Sequence, residues 1–373
     1  MTFQLSMEHQ MIRDTAIGFF ADRAPVAELR RLRDSADPLG FSPAVWREMA
    51  DMGFAGILVP EELGGTALGM AGAALVLDAI GRNLSATPML TTGIAGAVAL
   101  MGASDQVKAR WLPELASGSL LIAPALDERP RHAPHAITCR AVPDDKLGYR
   151  LTGTKCFVPG GHAADLLVVS ARSPAELVLL LADAREADVS VAPRNNADGR
   201  NSAAVTFQDM TIAADHVLAG PDRAAVLLDR MLDATRIALA AELLGIAEQS
   251  FAITLSYLSE RTQFGQPIGA FQALQHRAAH LFSEIEVAKS ALRRAALLFD
   301  ADSTEAPLYA SIAKAKCGDA AVLATNEGVQ MHGGNGMTDA FDIGLYMKRA
   351  RAAHSWFGDS AFHADRFAQL SGY

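Results

Sequence analysis

Two short stretches in the last third of the chain contain residues that can bind a phosphorylated ligand. Residues 261–265 read Arg-Thr-Gln-Phe-Gly, and residues 330–337 contain the pair Gly333 and Gly334. A guanidinium presents a fork of N–H donors that matches the oxygens of a diphosphate. Paired glycines let the backbone approach a ligand closely and donate its N–H groups. An arginine at a helix end is alone typical of a cap, and Gly-Gly of a helix stop, so the signal lies in their combination.

Three long helical segments must position these stretches. Residues 224–260 contain no proline and only one glycine, and they lead directly into the first stretch. Residues 271–300 and 308–332 also contain no proline, and Gly333 is the expected stop of the last segment. Long amphipathic helices with short connections predict an antiparallel bundle.

The rest of the chain divides into a helical part and a β-rich part. Residues 1–119 read as helices, and one of them is expected to begin with Ser42 as its N-cap and Pro43 at its first position. Further helices are predicted at residues 71–81, 91–101 and 111–118. Residues 120–222 hold short β-rich runs between Gly, Pro, Asp and Asn, which is typical of an antiparallel sandwich or barrel. The predicted strands are residues 137–142, 149–151, 155–158, 166–170, 177–181, 189–192 and 203–207.

The sequence therefore predicts an α+β fold. Its domains would be an N-terminal helical domain at 1–119, a middle antiparallel β domain at 120–222 and a C-terminal helical bundle at 223–373. A chain of 373 residues is long enough for several such subdomains.

Composition argues against several classes of partner. The net charge of -9 disfavours a nucleic acid or an anionic membrane surface. The three cysteines are far apart, which favours a reducing compartment. Residues 1–13 lack the apolar core of a signal peptide, and the uncharged residues 83–104 are rich enough in small and polar side chains to predict a buried helix. A cytoplasmic protein is expected. No metal site is expected, because His276 and His280 lack the interleaved acid of a zinc motif.

In order and spacing, the two stretches resemble the C-terminal domain of the acyl-CoA dehydrogenase family of flavoproteins. Residues 53–65, 111–118 and 151–155 resemble further parts of the same family, in the right order. The resemblance covers nearly the whole chain. It implies the acyl-CoA dehydrogenase architecture, with a C-terminal four-helix bundle, and FAD as the cofactor.

The resemblance also implies which residues bind FAD. In that family FAD lies between the β domain and the bundle, and its diphosphate crosses to a neighbouring subunit. Arg261, Gln263 and Phe264 would contact the adenosine diphosphate portion. The partner chain would contribute Gln330, Gly333, Gly334 and Asn335. A loop with Phe157 would face the flavin ring, although Pro159 in that loop has no N–H to offer the ring.

The chain departs from the family at the catalytic base. The family removes a proton next to the thioester carbonyl and passes a hydride to flavin, which requires a carboxylate beside the substrate. One family position for that glutamate corresponds to Phe357, before Gly358, and the other corresponds to Thr235, before Arg236. Neither Phe357 nor Thr235 can act as a general base.

Two nearby carboxylates are candidate replacements. Glu242 lies on the same helical face as Thr235, about two turns further on, in an apolar stretch that could raise its pKa. Asp359 lies two residues after Phe357. The alternative for Glu242 is a buried side chain that is hydrogen-bonded within the bundle. Arg236 is a candidate substrate-binding residue.

Three functions follow from the resemblance. The first is FAD-dependent α,β-dehydrogenation of an acyl-CoA thioester, with electrons passed to an electron-transfer flavoprotein. The second is a non-catalytic subunit that completes the FAD site of a hetero-oligomeric acyl-CoA dehydrogenase, because residues 336–344 resemble the paired subunits of bacterial steroid and dicarboxylate degraders. The third is a flavin oxidase or monooxygenase on the same scaffold. A homo-oligomer or a paired complex is expected.

Overall fold

The computed structural model describes residues 5–144, 148–174 and 176–373. Residues 1–4, part of the stretch predicted not to be a signal peptide, lie outside the described residues. Helices occupy both ends of the chain and a sheet occupies the middle, so the predicted fold class is confirmed.

The chain forms two compact units, each built from separated segments. The first unit comprises residues up to Arg31, Met70–Ala86 and Arg236–Tyr373, and the second comprises Leu32–Gly69 and Thr87–Thr235. These units alternate along the chain and do not test the division at residues 119 and 222, which stays a prediction.

The N-terminal helices agree with the prediction in type but not in every boundary. They are α1 Met7–Arg23, α2 Val26–Asp34, α3 Pro43–Asp51, α4 Gly69–Asn83, a π-helical segment Met89–Gly96, α5 Ala97–Met101 and α6 Asp105–Ala116. The Ser42 side chain accepts a hydrogen bond from the Val45 N–H and caps α3, as predicted. Helix α6 begins earlier than predicted because Ser104 caps it in the same way.

The middle sheet is mixed rather than wholly antiparallel. Its strands are β1 Ile122–Ala125, β2 Arg140–Asp144, β3 Gly148–Pro159, β4 Leu166–Arg172, β5 Leu177–Asp183, β6 Val189–Asn195, β7 Asn201–Ile212 and β8 Val217–Ala219. The order is β6-β7-β3-β2-β4-β5-β8, with β1 also paired to β4. Most neighbours are antiparallel, but β1 and β2 each pair with β4 in parallel. The predicted runs 149–151 and 155–158 are one strand with register shifts.

The C-terminal helices form the predicted bundle. They are α7 Ala224–Glu260, α8 Gln272–Asp300, α9 Ala306–His332, α10 Ile343–Ser355 and α11 Ser360–Leu370, with a hairpin of β9 Thr262–Gln263 and β10 Gln266–Pro267 between α7 and α8. Gly333 ends α9 with a φ of 60°, as expected of a glycine stop. Helix α7 is apolar and long enough to cross a membrane by composition, but 72% of its most apolar window is buried in the protein. Such burial is typical of a core helix, and the cytoplasmic location stays a prediction.

Glycines bring α4 and α7 into backbone contact within the first unit. A Cβ added at Gly81 would lie 2.0 Å from the carbonyl oxygen of Glu242, and one added at Gly245 would lie 2.0 Å from that of Asp78. No side chain fits at such distances, so these two glycines set how closely the helices pack. The contact also fixes the turn of α7 that carries Glu242.

We expect Gly81→Ala to lower the free energy of unfolding by about 1–3 kcal/mol, because the added methyl group must push α4 away from α7. Gly18→Ala is the matched control: it lies in α1, where an added Cβ meets nothing within 4 Å. That control should be neutral or stabilising by up to about 1 kcal/mol, as expected for Gly→Ala inside a helix. Thermal unfolding of both variants checks this, and equal effects would contradict the close packing.

Candidate functional site

The first predicted binding stretch is a tight hairpin directly after α7. Gln263 pairs with Gln266, and the turn residues Phe264 and Gly265 have φ values of 56° and 80°. Positive φ at both central positions defines a type I′ turn, which is favourable for Gly but strained for a bulky residue. The Phe264 side chain is nevertheless 89% exposed. An exposed aromatic in a strained turn is typical of a binding surface.

The second predicted stretch presents open glycine backbone. A Cβ added at Gly333, at Gly334 or at Gly265 of the hairpin would meet nothing within 4 Å. Gly336 differs, because its Cβ would lie 2.6 Å from the Val329 carbonyl oxygen. Gly336 therefore serves packing, whereas Gly333 and Gly334 leave room for a ligand to approach the main chain.

The two stretches lie next to each other in one chain. The Tyr257 hydroxyl is 3.3 Å from the His332 carbonyl oxygen and accepts a hydrogen bond of 3.1 Å from Asn335 Nδ2. The Arg261 N–H donates to the Tyr257 carbonyl oxygen at 2.9 Å. From sequence, the segment with Asn335 was expected to serve the neighbouring subunit's FAD, and Tyr257 was missed. In the sequence, the feature that could have identified it is a tyrosine one helical turn before Arg261.

This surface fits the adenosine diphosphate portion of FAD. The Arg261 side chain is exposed, as are Gln263 and Gln330, so donors are available at the surface. The open main chain at Gly333 and Gly334 supplies a place for close approach of phosphate oxygens. The residues present therefore match the donor set that a diphosphate requires.

The segment expected to face the flavin ring lies in the second unit. Phe157 in β3 has a φ of 51° and is 46% exposed, and the Arg194 guanidinium lies 5.7 Å from its ring centroid. Two residues earlier in the same strand, Lys155 is fully buried, and its Nζ donates to Glu128 Oε1 at 2.7 Å. Burial alone would raise the pKa of Glu128, but the hydrogen bonds from Lys155 and Thr138 hold it below its usual value. Glu128 is thus a structural anion that shapes this segment.

The two positions that the resemblance assigns to the catalytic base hold side chains that do not ionise. Phe357 is buried with a φ of 54°, and its carbonyl oxygen lies 3.3 Å from Arg236 Nε. Lys314 Nζ donates to the carbonyl oxygens of His354 and Gly358 at 2.9 Å each. Arg236 and Lys314 are both 1% exposed, so two buried basic side chains hold the loop at the end of α10, residues 354–358. The Thr235 hydroxyl donates to the Met231 carbonyl oxygen at 2.7 Å within α7.

Both candidate replacement carboxylates are engaged elsewhere. Glu242 is 2% exposed and its Oε1 lies 3.3 Å from Arg349 Nη1, a side chain that is itself buried. Breaking a buried ion pair to reach a substrate costs several kcal/mol. Asp359 caps α11, and its Oδ1 accepts from the Phe362 N–H at 2.8 Å. The geometry matches the structural alternative for Glu242. The guanidinium of Arg236 is likewise directed at Phe357, and its predicted substrate role stays a prediction.

Three residues at predicted site positions have left-handed backbone. They are Phe157, Phe264 and Phe357, which the resemblance places near the flavin ring, the adenosine diphosphate and the missing base. Such strain costs of order 1–3 kcal/mol per residue. It is not confined to the predicted site, because positive φ also occurs at Ala36, Ala67, Leu84, Asp209 and Asp302.

A separate cavity of about 570 Å³ lies within the first unit. Its described lining includes Leu75, Leu244, Lys289 and Arg293 but none of the predicted FAD-binding or catalytic residues. It is therefore distinct from the surface around Arg261.

Comparisons with known proteins agree with the architecture. The family model described as acyl-CoA dehydrogenase, C-terminal domain, matches residues 225–370, and the one for the N-terminal domain matches residues 6–119. Acyl-CoA dehydrogenase IpdE2 of Mycobacterium tuberculosis is 32% identical over 93% of this chain and 92% of its own length. Cyclohex-1-ene-1-carbonyl-CoA dehydrogenase of Geobacter metallireducens is 28% identical over 96% of this chain and 95% of its own. Among solved structures, a variant of the Tcur3481-Tcur3483 steroid ACAD superimposes with a TM-score of 0.89 at 29% identity, covering 98% of this chain and 97% of that one.

The buried Lys314 predicts a distinctive pH dependence of stability. Burial, together with repulsion by Arg236, lowers the pKa of Lys314 from 10.5 to about 7. Between these values the unfolded chain binds a proton that the folded chain does not, so this group adds stability as the pH rises from about 7 to about 10.5. The carboxylates of Asp359 and Asp319 act in the opposite direction and raise the pKa of Lys314, but by less than burial lowers it.

We expect wild-type protein to gain more than about 1 kcal/mol over Lys314→Met across this range. Lys316→Met is the control, since Lys316 lies on the same helix but is 41% exposed. Thermal unfolding at several pH values checks the difference. Parallel pH curves for wild type and Lys314→Met would contradict the buried, depressed lysine.

Proposed function

The chain belongs to the acyl-CoA dehydrogenase family, and on that premise we propose that it acts in FAD-dependent α,β-dehydrogenation of an acyl-CoA thioester as a subunit without its own catalytic base. A second, related chain supplies the carboxylate. This chain contributes the surface that binds the adenosine diphosphate portion of FAD. Electrons leave to an electron-transfer flavoprotein, as the resemblance implies.

One observation carries the proposal: both family positions for the base hold residues that cannot accept a proton. Phe357 and Thr235 occupy them, and the candidate carboxylates Glu242 and Asp359 are held in an ion pair and a helix cap. A general base contributes about 10²–10⁴-fold to such a reaction, so its loss leaves little activity. In a paired complex the carboxylate of the related chain supplies this contribution to the rate, and this chain needs no base of its own.

The residues of this chain bind and position. FAD, when bound, supplies the hydride acceptor. The resemblance divides the two stretches between two chains, but here they lie together in one chain. Arg261 would therefore bind the diphosphate through its forked donors, and the main chain at Gly333 and Gly334 of the same chain would approach the same group. Lys314 and Arg236 hold the loop of residues 354–358 by its carbonyl oxygens. Phe357 places an apolar ring where the family has a carboxylate, which keeps charge and water away from that position.

The similarity to other proteins supports a paired subunit and a steroid-derived substrate. The solved structure at 29% identity is designated Tcur3481-Tcur3483 and described as a steroid ACAD. Such a double designation is consistent with a complex of two chains. The acyl group of this chain's thioester is thus proposed to be a steroid side chain or a product of steroid breakdown.

We expect Phe357→Glu to give the chain activity of its own. The new carboxylate would stand where one branch of the family places its base, on a loop that Lys314 and Arg236 already hold. Anaerobic bleaching of the flavin absorbance by acyl-CoA thioesters should become at least about 10²-fold faster than in wild type. Thr235→Glu tests the other family position in the same assay.

Phe357→Gln is the matched control, since it has the same size and polarity but cannot act as a base at neutral pH. It should remain as slow as wild type. Thermal unfolding establishes that each variant is folded. Wild-type protein that bleaches as fast as Phe357→Glu would contradict the proposal and return attention to Glu242.

A further inference from the structure

We propose that Tyr257 is a positioning residue that joins the hairpin after α7 to the glycine segment after α9, so that the two halves of the diphosphate-binding surface form together. The inference rests on the proposed function, since it concerns the same FAD surface. It assigns a role to a residue that lies outside both stretches singled out in the sequence.

The Tyr257 hydroxyl is bonded on both sides. It donates to the His332 carbonyl oxygen at 3.3 Å, and it accepts from Asn335 Nδ2 at 3.1 Å. His332 and Asn335 lie on either side of Gly333 and Gly334. One hydroxyl therefore holds both ends of the open glycine pair.

The Tyr257 ring is held independently of its hydroxyl. It stacks on the His332 ring with centroids 4.2 Å apart and planes at 24°, and Phe341 meets it edge-on at 6.2 Å. His332 is buried, which lowers its pKa, and its Nδ1–H donates to the Gly328 carbonyl oxygen at 2.7 Å. The neutral imidazole is thus locked in the last turn of α9. Removing only the hydroxyl should leave this aromatic stack in place.

The main chain of Tyr257 holds the other half of the surface. Its carbonyl oxygen accepts from the Arg261 N–H at 2.9 Å, and the Arg261 carbonyl oxygen accepts from the Ile268 N–H at 2.8 Å as the hairpin closes. Arg261 and the glycine pair are consequently tied to the same residue, one through its backbone and the other through its side chain. The donors of the two stretches are therefore held at a fixed separation before a diphosphate binds.

The test compares FAD dissociation constants of protein freed of FAD, in the assembly in which it purifies. Tyr257→Phe keeps the ring and removes two hydrogen bonds, so FAD should bind about tenfold more weakly. Tyr309→Phe is the matched control, because the Tyr309 hydroxyl has no hydrogen-bond partner among the described residues. FAD affinity of that variant should equal that of wild type.

A double-mutant cycle separates positioning from general packing. Asn335→Ala should weaken FAD binding. Adding Tyr257→Phe should then weaken it by clearly less than the roughly tenfold effect that the same change has in wild type, because one of the two Tyr257 hydrogen bonds is already lost. A purely structural role would instead lower the melting temperature of the FAD-free protein and leave the dissociation constant unchanged.

The possible failures can be told apart. Arg261→Ala should abolish tight FAD binding if the proposed function holds. Wild-type affinity in Tyr257→Phe, with binding lost in Arg261→Ala, overturns the role of Tyr257 alone. Wild-type protein that does not bind FAD overturns the proposed function and the role of Tyr257 with it.

Discussion

The hydrogen bonds from two buried basic side chains to one loop are the interaction on which the account of this site depends. Burying a charged side chain is costly unless its donors are satisfied, and Lys314 and Arg236 satisfy theirs at least in part on the carbonyl oxygens of residues 354–358. The loop is therefore held in one conformation, with Phe357 in the left-handed region. Under the proposed function, this loop is the frame that positions the base in related chains, and here it carries a phenyl ring. A scaffold retained without its base is what a supporting subunit requires.

The hairpin after α7, where we propose that FAD binds, also contains a strained residue that its neighbours hold in place. Phe264 keeps its positive φ because the pairing of Gln263 with Gln266 closes the turn around it. In addition, Phe271 packs edge-on to the Phe264 ring, with centroids 6.1 Å apart. Tyr257 connects this hairpin to the end of α9 through one main-chain and two side-chain hydrogen bonds. Glu242, further back on α7, is committed to Arg349 in the core. Helix α7 thus has a buried ion pair at Glu242 in its middle and leads at its end into the exposed donors Arg261 and Gln263.

How much could be predicted from the sequence depended on the range of the interactions. The long helices and the Ser42 cap follow from periodicity and local hydrogen bonding, so they were found nearly to the residue. Strand β1 was missed because it is four residues long and contains Pro124, and the parallel pairings that it makes are not local. The sequence alone shows that Phe357 and Thr235, the positions that the resemblance assigns to the base, cannot ionise. The ion pair of Glu242 could not be predicted, since its partner Arg349 is 107 positions away.

The most direct test of the central claim is the visible spectrum of the FAD-loaded wild-type chain, purified alone, during anaerobic titration with a mixture of acyl-CoA thioesters. The account predicts that the flavin stays oxidised and that it bleaches only after a related chain carrying the missing glutamate is added. Bleaching by the wild-type chain alone would show that it has its own base and would contradict the account.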